Sequence, residues 1–357
     1  MTTVFTANLR DRTWRNAIPS DAVALFHRGL DGYSRTPLVE LPELATALDV
    51  GRVFAKDESL RLGLPAFKAL GASWAVERAI REFGQPQDLT IVTATDGNHG
   101  RAIARFSRLA GSKAKIVVPR GLHPDAIAAI RNEGASVEEY DGDYDAAVAR
   151  AASVASVENH VLIQDTAWEG YEEIPRWIIE GYETLFAEID EQLAEFGVFS
   201  PDLLAIPTGV GSLLHAALAH YRCTGDRSAT AVISVEPDVA SCMAPSLEAG
   251  EPVTVSTGTT RMSGLNCGTP SSIAWEFIRN GLDAAVSVTD SHAIAAARKL
   301  VSLGLDAGPC GGAGLAGTEV AIGVDAPAEQ RSHLGVDAES VIVFVITEGG
   351  SANPLPD

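Results

Sequence analysis

Short runs rich in Val and Ile recur along this chain between longer Ala-rich stretches, and that alternation limits its fold more than any other feature. Ile91–Thr95, Lys115–Val118, Val161–Gln164, Leu203–Ile206, Thr230–Val235 and Ser340–Ile346 are short, apolar and mostly bounded by Gly, Pro or Asp, as buried strands are. Between them, Ala66–Phe83, Arg101–Ala110, His123–Glu133, Asp143–Val154, Pro175–Phe196 and Ser291–Leu303 read as helices. In the first of these, Phe67, Leu70 and Trp74 share one stripe and Ala72, Val76 and Ala79 another. Strand–helix alternation predicts a doubly wound α/β architecture with parallel sheets. A chain of 357 residues suits one large domain or two smaller ones. No linker divides it, so a second domain is expected to arise by insertion. The acidic stretch Gly323–Gly335 predicts a surface loop, and the Gly/Pro-rich tail Gly349–Asp357 a loosely held end.

Hydrophobic residues make up 46% of the chain and charged residues 21%, ample for a buried core. The net charge of −20 argues against nucleic acid and anionic membranes as partners. It leaves room for an anionic ligand, because helix N-termini and backbone N–H groups bind phosphate locally. The four cysteines, Cys223, Cys242, Cys267 and Cys310, form no CxxC pair, which argues against zinc. A chain this long does not need disulfide staples, so a reducing cytoplasm is the expected setting. Met1–Ile18 carries Arg10, Arg12 and Arg15 but no apolar stretch of the signal-peptide kind, and no run of apolar residues is long enough to span a bilayer. His215 and His220 do not share a helix face and read as structural.

Four segments could carry chemistry, because polar and turn residues cluster where strands should end, and open α/β sheets bind ligands there. Thr208-Gly209-Val210-Gly211-Ser212 follows a strand and opens the helix Leu213–His220. Its glycines would let an anion approach the backbone, and the helix start would supply N–H groups. The same turn could serve a dinucleotide with Glu236 on the ribose, although Leu214 stands where the third glycine of that fingerprint belongs, or it could be a bare turn. Lys56-Asp57-Glu58-Ser59 precedes Phe67-Lys68-Ala69-Leu70-Gly71. At an apolar helix start, desolvation and the helix dipole would favour the neutral Lys68 amine that a Schiff base needs. A lysine there could also snorkel to water. Thr95-Asp96-Gly97-Asn98-His99-Gly100 could form an anion nest or a plain capped turn. Asp165, just past a buried strand, could face a cleft or cap the next helix.

In combination these segments resemble the type II fold of pyridoxal-phosphate enzymes, the group with tryptophan synthase β and threonine dehydratase. Within it, the chain is most similar to the diaminopropionate ammonia-lyase family. The resemblance is carried by Tyr33–Leu38, Lys56–Ser59, Gly63–Gly71, Thr93–Arg101, Gln164–Tyr171, Gly209–Gly211, Val235–Asp238, Met262–Gly268 and Thr347–Gly349. It implies two doubly wound domains with pyridoxal 5'-phosphate in the cleft between them. Residues 1–66 and 186–357 would form the large cofactor-binding domain. Residues 67–185 would form an inserted small domain with the lysine helix, the Asn98 loop and Asp165.

The resemblance also implies roles. Lys68 would carry the Schiff base, with Phe67 beside it; Gly209, Val210, Gly211, Ser212 and Leu213 would hold the phosphate. Asn98 would bond the cofactor's 3'-hydroxyl and Thr347 would face the pyridine nitrogen. Thr95, Asp96, Gly97 and His99 would hold the substrate carboxylate. Lys68 and Asp96 would be bases on opposite faces, for L- and D-substrates, and Asp165 would bind the distal amine and assist its departure. The implied reaction is α,β-elimination of ammonia from 2,3-diaminopropionate or a close β-substituted alanine, through aminoacrylate to pyruvate and ammonia, in a homodimer. The chain departs from the family at Ala307–Gly314, where Pro309 replaces an acidic residue and Cys310 a serine. That change keeps β-replacement on aminoacrylate, or a serine/threonine dehydratase-like reaction, open as alternatives. The ammonia-lyases also place cysteines at the positions of Cys242 and Cys267, so a bridge between them is one expectation.

Overall fold

Val341–Ile346 is buried along its whole length and lies inside the larger of two sheets, so it must be covered on both faces. In the computed structural model, which describes residues 3–17, 19–95, 97–142, 144–223 and 229–356, the strands run in chain order. They are β1 (Val4–Ala7), β2 (Leu38–Glu40), β3 (Arg52–Asp57), β4 (Thr90–Ala94), β5 (Lys113–Pro119), β6 (Ser136–Tyr140), β7 (His160–Leu162), β8 (Leu203–Pro207), β9 (Ala231–Pro237), β10 (Ala284–Val288) and β11 (Val341–Ile346). The larger sheet has the order β1-β10-β9-β8-β11-β3-β2 and the smaller the order β6-β5-β4-β7. The smaller sheet is parallel throughout, and the larger is parallel except at its edges, where β1 and β2 pair antiparallel.

The helix Pro309–Ile322 packs against β8, β10 and β11 and is buried along most of its length. Its glycines permit that approach: a Cβ on Gly317 would come within 2.3 Å of Val235. A second close crossing joins the helices Lys68–Phe83 and Glu173–Glu195. There, a Cβ on Gly71 would lie 2.6 Å from the Tyr182 ring, and one on Gly181 would lie 2.6 Å from the Gly71 Cα. The two apolar stripes expected on the first helix are both buried, as are Gly71, Ser73 and Ala75 between them.

The predicted strands and helices all form, with ends shifted by a few residues. The alternation did not reveal β1, β2, β3, β6 and β10. Arg52, Lys56 and Asp57 hide the apolar centre of β3, β6 carries a glutamate on each face, and the Ala284-Ala285 start of β10 has no strand signature. Two expectations are corrected. Within Gly323–Gly335 the segment Ala328–Leu334 is a helix, closed by Gly335 at φ 70°. Leu334 is buried beneath it, and Arg331 Nη1 donates to the Leu48 and Ile322 carbonyls at 2.8 and 2.7 Å. The tail is tied down: Gly350 N donates to Asp306 at 2.9 Å and Asn353 Nδ2 to the Arg261 carbonyl at 2.7 Å.

Candidate active site

Lys68 opens its helix at the floor of a cleft, where its Nζ lies 2.5 Å from Asp165 Oδ2. The pair lines a cavity of about 320 Å³ whose walls include Phe67, Gly97, Asn98, His99, the 207–214 turn, the 258–267 segment, Thr347 and Glu348. Asp165 is 6% exposed. Burial is the largest single influence and pulls its pKa upward, but the Lys68 charge, the Lys68 hydrogen bond and the neighbouring polar groups together outweigh it and hold the carboxyl well below the usual carboxylate range. The snorkelling alternative does not hold: the amine is directed at a buried carboxylate, with 21% of the side chain exposed. The structure pairs the Lys68 amine instead of leaving it isolated and neutral, because Asp165 comes from a different strand end.

Asp165 is itself positioned from several sides. Its carbonyl accepts from Ser212 Oγ at 2.7 Å, so the glycine turn and the Asp165 segment are directly bonded. Gln164 beside it is a junction. Its Oε1 accepts from Ala94 N and Thr93 Oγ1, both at 3.0 Å, and its Nε2 donates to Tyr144 Oη at 2.9 Å. His99 is buried, and its Nε2 donates to the Ile163 carbonyl at 2.9 Å. A carbonyl only accepts, so Nδ1 carries the lone pair, 3.9 Å from Asp165 Oδ2. Burial keeps His99 below the ordinary histidine range and therefore neutral.

Across the cleft, β8 ends in Thr208-Gly209-Val210-Gly211 and the helix Ser212–Tyr221 begins. Gly211 has φ 95°, a conformation that favours glycine. A Cβ on Gly209 would meet Cys267 Sγ at 3.1 Å and the Gly264 carbonyl at 3.2 Å. The cradle is thus made of backbone N–H groups at a helix start, and among the described residues no arginine lines the cavity. Thr347 Oγ1, just past β11, is buried without a hydrogen-bond partner among the described residues. Asn98 opens the helix Asn98–Ala110 and its Nδ2 donates to Glu348 Oε2 at 2.7 Å.

Phe67, Lys68, Gly97, Asn98, His99, Asp165, Gly209, Val210, Gly211, Ser212, Leu213 and Thr347 all reach this one cavity. Thr95 lies beneath the loop and not on the cavity wall: its Oγ1 accepts from Gly97 N at 2.9 Å and Gly100 N at 3.0 Å, which shapes the turn and uses the Gly97 N–H. Asp96 lies outside the described residues. Lys56 does not reach the cleft. It is buried with Arg61, Glu58 and Glu188 in a charge cluster, its Nζ 2.7 Å from Glu188. Glu236 does not face the turn as a ribose-binding acid would. It is buried and accepts from Cys242 N at 2.8 Å and Met243 N at 3.1 Å, capping a helix start. His215 lies against Phe277, and His220 is held between Glu183 and Asp190. Cys242 and Cys267 are thiols in this structure, with no bridge between them. Sequence reasoning assigned no part to Glu348; the available signal was a carboxylate two residues past a wholly apolar strand.

A match to the pyridoxal-phosphate dependent enzyme family spans residues 30–348. A diaminopropionate ammonia-lyase from Salmonella typhimurium is 35% identical over 92% of this chain and 89% of its own length. One from Escherichia coli is 34% identical over 91% of this chain and 86% of its own. The crystal structure of the Escherichia coli enzyme in complex with D-serine superposes with a TM-score of 0.88 at 31% identity, covering 98% of this chain and 94% of that one. Maize serine racemase shares the fold, with a TM-score of 0.78 at 21% identity. By this extent of likeness the chain belongs to the pyridoxal-phosphate dependent enzymes and, among them, to the diaminopropionate ammonia-lyase family.

Proposed function

We propose that this protein eliminates ammonia from 2,3-diaminopropionate, giving pyruvate and ammonia, with pyridoxal 5'-phosphate bound through Lys68. The carrying observation is the pairing of Lys68 and Asp165 at 2.5 Å inside the cavity closed by the glycine turn. The residues present fit the cofactor. A backbone cradle at a helix start suits a phosphate, and Thr347 Oγ1, without a partner among the described residues, offers a neutral hydroxyl to a ring nitrogen. Lys68, flanked by Phe67, offers the amine, and Asn98 offers an amide to the ring hydroxyl. When bound, the cofactor supplies an electron sink for charge building on the substrate's α-carbon.

The protein's own groups divide the remaining work. Once the Lys68 amine is engaged, Asp165 is left as a buried carboxylate without that cation, a state worth about 3–5 kcal/mol to avoid. The distal ammonium of 2,3-diaminopropionate is a cation of the right kind to replace it. Asp165 would hold that amine as ammonium, and ammonia then leaves with the C–N electron pair. Lys68, returned as a free amine, takes the α-proton of an L-substrate. We assign the opposite face, for a D-substrate, to Asp96 on the family resemblance alone. The substrate carboxylate is assigned to the start of the helix Asn98–Ala110.

We further assign residues 1–66 and 186–357 to a large cofactor-binding domain and 67–185 to the inserted one. In support, β4 to β7 all fall in the second range and form their own sheet. The helix Glu173–Glu195 crosses the later boundary and serves both. A homodimer in a reducing cytoplasm completes the reading. It rests on the family resemblance and on cysteines that carry no disulfide, and light scattering on the purified protein measures the mass. The central experiment follows pyruvate release from D- and L-2,3-diaminopropionate by wild type, K68A and D165N. Turnover by wild type alone is expected. Pyruvate from K68A, or none from wild type loaded with pyridoxal phosphate, overturns the proposal.

A further inference from the structure

We infer that Glu348 is a positioning residue that acts through Asn98, fixing the amide so that one of its protons points to the cofactor's ring hydroxyl. The inference rests on the pyridoxal-phosphate reading above. Glu348 is 4% exposed, and its Oε2 accepts from Asn98 Nδ2 at 2.7 Å although the two residues are 250 positions apart. Both line the cofactor cavity. An amide nitrogen carries two protons, so one bond to Glu348 leaves the other proton directed and the amide oxygen turned away. Burial raises the Glu348 pKa, yet a carboxyl keeps an acceptor oxygen in either protonation state.

The chain builds a seat for this carboxyl. The Glu348 backbone is held on two sides, by a bridge to Ala66 and by Gly308 N donating to its carbonyl at 3.1 Å. A Cβ on Gly311 would come within 2.5 Å of that carbonyl, and one on Gly308 would lie 3.3 Å from Oε1. The Cys310 thiol and the Asn353 side chain lie against the carboxyl. The stretch Ala307–Gly314 is thus the seat of Glu348. Its small residues and the Pro309 helix start leave room for a carboxyl that reaches across to Asn98.

The test is a double-mutant cycle on apoprotein titrated with pyridoxal phosphate, reading its dissociation constant, the visible band of the bound cofactor and the apoprotein Tm. E348A and N98A are each expected to weaken binding by about 5- to 20-fold, as for one hydrogen bond in a buried site, and to shift the band. The E348A/N98A protein is expected to bind no more weakly than N98A, and E348Q, which keeps an acceptor oxygen, to recover most of the affinity and the band. Equal losses from E348A in the wild-type and N98A backgrounds would overturn the inference, as would an unchanged band and affinity. If E348A does not fold, E348D, which withdraws the oxygen by one methylene, replaces it in the cycle with the same outcomes. Wild type that binds no cofactor would instead overturn the underlying reading.

Discussion

The Lys68 amine and the Asp165 carboxylate meet at 2.5 Å across 97 positions of sequence, and each accounts for the other's presence in a buried cleft. A buried carboxylate needs a cation, and a lysine on an apolar helix start needs an anion. The substrate proposed here carries a second amine that can take the lysine's place. The charge pairing is therefore conserved while the lysine is occupied with chemistry.

Removal of the Lys68 amine strands Asp165. K68A is expected to lose pyruvate release and to destabilise the apoprotein by about 2–3 kcal/mol, below the range for fully buried pairs because Lys68 keeps partial exposure. K68A/D165N should recover most of the stability and none of the activity. Urea denaturation of the four apoproteins measures the coupling, and equal stabilities across the set would refute it.

Thr347 Oγ1 is buried without a partner among the described residues. T347V keeps the shape and removes the unsatisfied hydroxyl, so the apoprotein should gain about 1 kcal/mol of stability. The same change should weaken pyridoxal phosphate binding by several-fold, through loss of a group facing the ring nitrogen. The opposite signs separate this site from an ordinary core threonine, and calorimetry with and without cofactor reads both.

The helix that presents Lys68 crosses the helix Glu173–Glu195 at Gly71, where a Cβ would lie 2.6 Å from the Tyr182 ring and 2.8 Å from the Ile178 carbonyl. G71A is expected to cost about 1–3 kcal/mol by overpacking. Because Lys68 lies one turn away, kcat should fall as well. Denaturation midpoints and pyruvate assays check both effects; an unaltered midpoint would show that the crossing can relax.

Burial pulls the His220 pKa down, but Asp190 and Glu183 outweigh it and raise it from 6.5 to about 9. The folded state then binds this proton more tightly than the unfolded chain. Its contribution is complete below pH 6.5 and is lost as pH rises through about 9. A decline of about 3 kcal/mol across that window is expected, and H220N should flatten it. Tm measured against pH for both proteins tests the assignment; parallel profiles would exclude it.

The sequence alone determined the alternation of elements, the mainly parallel sheets and the turn residues at strand ends, because those depend on local periodicity and on glycine's backbone freedom. Lys68, Asn98, Asp165 and the glycine turn could each be singled out as candidates, and a family resemblance joined them. Distance, pairing and burial were beyond it. That Lys56 serves a buried ion cluster while Lys68 faces the cleft depends on which strand and helix lie opposite, since both lysines sit beside apolar residues. That Glu348 meets Asn98 was likewise decided only by tertiary packing, which brings together groups 250 positions apart. Glu236 and Thr95 bond backbone only six and two residues away, but which of several possible partners each side chain takes depends on how the local turn folds.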